Sequence, residues 1–115
     1  MPQSSQDSSK LFDEQVGRLH ELHYLVLFWA AQGEGRGCKY NITNCFDDLK
    51  HAGVTRTKQT AVAAIEGLAT LCFIDIRDER NRKNIYITKY GAKALEALVM
   101  SNQFQPKPSA FLEEQ

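Results

Sequence analysis

Residues 54–71 read VTRTKQTAVAAIEGLATL, and the fold turns on them. On a 100° helical wheel, Ala61, Val62, Ile65, Leu68, Ala69 and Cys72 gather on one side. Arg56, Gln59, Thr60, Ala63, Gly67 and Thr70 gather opposite. The first set is a core face. The second puts long hydrogen-bonding side chains near the helix start and small residues further along. A helix that enters the DNA major groove has this need: its first side chains reach base edges, and small residues let the backbone approach. Arg56 suits guanine and Gln59 suits adenine, Thr55, Thr57 and Thr60 suit phosphates or thymine methyls, and Lys58 is expected to join them in binding DNA.

The flanks complete the pattern. Upstream, Tyr40-Asn41-Ile42 reads as a short strand. Thr43 or Asn44 then caps a short helix to about His51, with Asp47 and Asp48 in its early turns, where the helix dipole favours acids. Gly53 ends it, and Thr55 is the expected N-cap of the next helix. Two helices joined by a few residues are a helix-turn-helix. Downstream, Phe73–Arg77 and Ile85–Thr88 alternate in the β manner around the polar run 78–84. This is a hairpin whose basic loop carries Arg80, Arg82 and Lys83. Thr88 or Lys89 opens a last helix with Ala92, Leu95, Leu98 and Val99 as its stripe.

Ahead of this region, a helix is expected from about Leu11 to Gln32, with Phe12, Val16, Leu19, Leu22, Val26 and Trp29 at helical spacing. Its second half adds Leu25, Leu27 and Phe28 and is apolar almost all round. One core face cannot absorb so many, so the helix must be buried on more than one side. A homodimer interface of Leu25, Leu27, Phe28 and Trp29 is the expectation, clasped by Phe104, Phe111 and Leu112 of the tail. Residues 1–9 are expected to be disordered, 10–101 to form one domain, and 102–115 to be an irregular tail. The fold class is mainly α with a small β-hairpin, in the order of a winged helix-turn-helix.

The 115 residues carry no net charge, yet the charge is divided. Between Lys50 and Lys93 there are nine basic residues against Glu66, Asp75, Asp78 and Glu79, so this segment is +5 and the remainder −5. The basic half suits a polyanion. Cys38, Cys45 and Cys72 are odd in number and lack CxxC spacing, which argues against disulfides and a zinc ribbon. Gly33-Glu-Gly35-Arg-Gly37 lacks both the GxGxxG spacing and the GK[ST] ending of a phosphate loop. His20 and His23 stand three apart, not at the spacing of HExxH. No catalytic constellation, metal site or cofactor is expected, so the reading is not an enzyme. No apolar run approaches a membrane span, and a cytoplasmic location is expected.

The run from Val54 to Leu98 resembles the DNA-binding core of MarR-type transcriptional regulators. It carries a Leu-x-x-x-Gly-hydrophobic element at Leu68 to Ile74, with the glycine replaced near Leu71-Cys72. An Asp-x-Arg wing motif follows at Asp78-Glu79-Arg80, and a hydrophobic-Thr-x-x-Gly element at Ile87 to Gly91. The resemblance implies a sequence-specific regulator of double-stranded DNA, repressor-like and homodimeric. It covers about 45 residues, and no effector-binding residue is carried over from it. The alternative is a winged helix used as a protein–protein module or as a plasmid or phage replication accessory.

Overall fold

The computed structural model describes residues 2–115, with side chains from Lys10 onward. Its elements are α1 (Pro2–Gly17), α2 (Glu21–Gly35), α3 (Ile42–His51), α4 (Lys58–Thr70), β1 (Ile74–Glu79), β2 (Arg82–Ile87), α5 (Lys89–Ser101) and α6 (Ala110–Glu113). The helix-turn-helix is α3 and α4, and the wing is β1 and β2. Of residues 1–9, expected to be disordered, Pro2 to Ser9 lie in α1, while Met1 and the side chains of 2–9 are outside those described.

The single long helix expected over 11–32 is two helices. Arg18 and Leu19 donate backwards to the carbonyls of Gln15 and Val16, which tightens and closes the end of α1. His20 is extended, at φ −111° and ψ −178°. Its N–H donates to Nδ1 of His23, 3.0 Å away, and so α2 begins afresh. The break turns Leu19 into the core. An aromatic trio then fastens α1 to the body: the Phe12 ring lies 5.0 Å from Tyr90 and 6.3 Å from Phe73.

α2 is the central helix. It packs on α3, α4, α5 and β2. Leu25, Val26, Leu27 and Trp29 are fully enclosed. The residues expected to form a dimer interface are thus covered by the chain's own elements, with only Phe28 partly exposed. The tail adds to this cover and is tied across α2 and α3. Trp29 Nε1 donates to the Lys107 carbonyl at 2.8 Å, and Arg36 donates to the Leu112 carbonyl at 3.0 Å. The buried Asp48 carboxylate accepts from the Tyr40 hydroxyl at 2.6 Å, from the Ser109 hydroxyl, and from the Phe111 N–H at 3.1 Å. Three donors satisfy a charge that would otherwise be costly to bury. Asp48 therefore anchors the tail; it is not merely an acid near a helix start. Burial pushes the neighbouring Cys45 thiol up to about 12, and raises the Tyr40 hydroxyl as well.

α3 starts two or three residues earlier than expected. Asn41 is its N-cap and accepts from the Asn44 N–H at 2.8 Å. The expected strand at 40–42 reduces to a bridge from Asn41 to Asn84. Gly53, at φ +77°, ends α3 in the left-handed region that glycine adopts freely.

The end of α4 repeats that cap with a different residue. Cys72 has φ +65°, the Cys72 N–H donates to Ala69, and the Phe73 N–H donates to Leu68. This left-handed cap is the position at which the resemblance calls for glycine. Thr88 Oγ1 then donates to the Cys72 carbonyl at 2.6 Å and accepts from the Gly91 N–H at 2.9 Å. A Cβ on Gly91 would sit 1.8 Å from the Phe73 carbonyl oxygen. The Thr-x-x-Gly element thus locks the start of α5 against the chain leaving α4.

The wing is tighter than the sequence suggests. Most of the polar run 78–84 is strand, with Asp78 opposite Lys83 and Glu79 opposite Arg82. Only Arg80 and Asn81 form the turn, at φ +53° and +64°. Positive φ at both central residues is the turn whose twist matches a hairpin. Pairing of opposite charges across the strands favours ladder over loop.

Candidate nucleic-acid interface

The N-cap of α4 is Thr57, not Thr55. Thr55 is used locally instead: its Oγ1 accepts from the Thr57 N–H at 3.3 Å. Arg56 therefore lies in the turn before α4, while Lys58, Gln59 and Thr60 form the first helical turn. Arg56 to Thr60 are all exposed. Thr57 makes no side-chain cap bond, so the first N–H groups of α4 receive no acceptor from their N-cap. Such a helix end is suited to a phosphate.

Arg80 lies at the tip of the wing, and Arg82 and Lys83 lie in β2. Beneath them the hairpin is braced. Glu79 accepts from Asn84 Nδ2 at 2.7 Å and from the Tyr86 hydroxyl at 2.5 Å. Lys39 Nζ lies 3.5 Å from the same carboxylate. These donors hold the Glu79 carboxyl down at about 2, with the Asn84 bond the largest cause. The Arg77 guanidinium stacks over the Tyr86 ring, 4.2 Å from its centroid. The wing is thus a stiff presenter of its basic tip.

One groove of about 610 Å³ joins the two elements. Asn41, Ile42, Thr43 and Asn44 at the start of α3 line one side. Lys58, Val62 and Glu66 of α4 line another, and Asn81, Arg82 and Lys83 of the wing close it. The structure therefore brings together Lys58, Arg82 and Lys83 from the expected set. Gln59 lies on the adjoining outer surface of α4, alongside Ala63 and Glu66. Among the described residues the ion pairs are Lys39–Glu79, Arg77–Asp75 and Lys107–Glu21. Arg56, Lys58, Arg80, Arg82 and Lys83 are in none of them, although Glu79 and Asp78 stand opposite Arg82 and Lys83 in the hairpin and Glu66 lines the groove with Lys58.

Sequence reasoning missed three contributors to this surface. Asn41 was masked by the expectation of a strand at 40–42, and Asn44 was read only as a possible N-cap. Glu66 was left off the outer face, although it stands seven residues beyond Gln59 and three beyond Ala63, both helical neighbours.

The fold is that of a winged helix. The chain is similar in structure to the crystal structure of SSV1 F-93, with a TM-score of 0.50 at 16% sequence identity. The match covers 75% of this chain and 94% of that one. At this identity the likeness is one of fold. No family model and no curated protein matches the chain.

Proposed function

We propose that this protein binds double-stranded DNA in a sequence-specific manner, with α4 in the major groove and the wing along the adjacent phosphates. The carrying observation is the groove in which the start of α4 and the wing converge with unpaired Lys58, Arg82 and Lys83. Free cations over one face release counterions when they meet a polyanion. Arg56 and Gln59 are the base-reading candidates, and Thr55, Thr57 and Thr60 the candidates for backbone or methyl contacts. The resemblance to MarR-type regulators supports a regulatory, repressor-like role in the cytoplasm.

A homodimer belongs to this reading, because paired half-sites demand two recognition helices. With α2 enclosed, its contacts fall to the outer helices. Leu11 on α1 and Val99 and Met100 on α5 are 55%, 53% and 78% exposed. Met100→Glu should shift sedimentation from dimer to monomer, and a wild-type monomer at micromolar concentration would remove the dimer from the proposal.

The deciding experiment is selection of duplexes from random DNA at two salt concentrations. Enrichment of one sequence, with affinity that falls steeply with salt, is the expected result. Absence of any duplex binding would overturn the reading in favour of a protein-interaction module.

A further inference from the structure

We propose that Glu66 is a base-reading residue that selects a cytosine through its exocyclic amino group. The inference rests on the DNA-binding reading above. Glu66 lies two turns into α4, exposed, on the surface shared with Gln59 and Ala63 and at the edge of the groove that faces the wing. Its carboxylate makes no hydrogen bond or ion pair among the described residues. Only its backbone carbonyl is engaged, by the Thr70 hydroxyl at 3.0 Å.

A carboxylate set among free cations is out of place on a surface built for phosphates alone. An ionised carboxylate only accepts hydrogen bonds, and phosphate oxygens also only accept. Next to a phosphate it repels. Next to a base it has one class of partner, the amino groups in the major groove. Cytosine N4 is the one paired with Glu in direct readout. The neighbours favour this. The small Ala63 lies one turn before Glu66 on the same exposed surface, so it does not hold this part of the helix away from the base edges. The same charge penalises displaced registers in which Glu66 would meet backbone, which sharpens specificity by repulsion as well as attraction.

The test is duplex selection with the wild type, Glu66→Ala, Glu66→Gln and Gln59→Ala. Glu66 is exposed and its side chain is unbonded, so these variants should keep the helical signal of the wild type in circular dichroism. The wild type should select a site containing a preferred cytosine. In Glu66→Ala, discrimination at that one base pair should fall by about 5- to 150-fold. Affinity for unrelated duplexes should rise, because a negative charge leaves the phosphate field. Glu66→Gln should move the preference at the same position toward adenine, whose edge suits an amide. Gln59→Ala should change a different base pair. If the wild type selects a sequence and both Glu66 variants select the same one with unchanged discrimination, the role of Glu66 is overturned and DNA binding stands. If the wild type selects no duplex, both fall.

Discussion

The indole N–H of Trp29 donates to the backbone carbonyl of Lys107, 2.8 Å away and 78 residues along the chain. This one bond shows how an overfilled helix is satisfied without a second chain. The same tail segment places Ser109 on Asp48 and Leu112 in the core. The tail is therefore part of the domain and rests on α3, the first helix of the helix-turn-helix.

Ser109→Ala should loosen this clasp. It removes one of three donors to a buried carboxylate and the side-chain cap of α6, where Ser109 Oγ accepts from the Leu112 N–H. Leaving a buried acceptor short of a donor costs about 1–3 kcal/mol. Urea unfolding should show a loss in that range. An unchanged midpoint would mean that the tail contributes nothing to the core.

Gly91→Ala should be far more damaging than an ordinary helix substitution. In a helix interior alanine normally gains about 1 kcal/mol over glycine. Here the new methyl would overlap the Phe73 carbonyl at 1.8 Å, so backbone must move. Overpacking of this kind costs about 1–3 kcal/mol or more. Thermal unfolding decides the sign, and a stabilised variant would refute the close approach.

Cys72 offers the opposite case. Its φ of +65° strains any residue that carries a Cβ, and its two backbone cap bonds do not use the side chain, whose Sγ makes only a long contact of 4.0 Å to the Thr70 carbonyl. Cys72→Gly should leave the protein as stable or about 1 kcal/mol more so. Cys72→Val should destabilise, since a β-branched residue resists this region. Paired denaturation curves test both directions.

Replacing Arg80, Arg82 and Lys83 together by Ala should weaken binding to every duplex alike. Each phosphate neutralised contributes a slope of about −0.9 to log K against log salt, so the plot should flatten by up to about 3. Thermal stability should barely change, because exposed charges contribute little to it. An unchanged slope would remove the wing from the interface.

Arg56→Ala should behave differently. If Arg56 makes a bidentate contact to guanine, its loss costs about 1–3 kcal/mol at one base pair and relaxes preference there. A selection that returns the wild-type sequence would assign Arg56 to phosphates.

Glu79 makes the wing acid-sensitive. Its carboxyl titrates at about 2 in the folded protein against 4.5 in a free chain. A depressed folded value means that the unfolded state binds the proton first as pH falls. The contribution of Glu79 is thus complete above pH 4.5 and is lost as pH drops toward about 2. Glu79→Gln should lack that share of the acid loss in unfolding curves taken across this window. Parallel curves for the two proteins would count against the network with Asn84 and Tyr86.

The sequence by itself carried the helix-turn-helix, the hairpin and most of the core face of α4, although Cys72, read as part of that face, is exposed. These are periodic or local properties. Ile65 and Leu68 share a helix face whatever surrounds them, and Thr88 caps a helix from within its own turn. Tertiary structure alone decided what covers α2, because an apolar residue such as Trp29 records that it must be buried but not by what. The tail of the same chain and the surface of a second one are equivalent to it in sequence. Tertiary structure also decided the break at Leu19, where burial of one side chain outweighed continuity of the helix. The groove is of the same kind. Lys58 and Glu66 meet Arg82 and Lys83 only because the hairpin folds back over the start of α3, through the bridge from Asn41 to Asn84. Sequence spacing has no means of expressing that contact, since charge convergence across distant elements is set by packing rather than by periodicity.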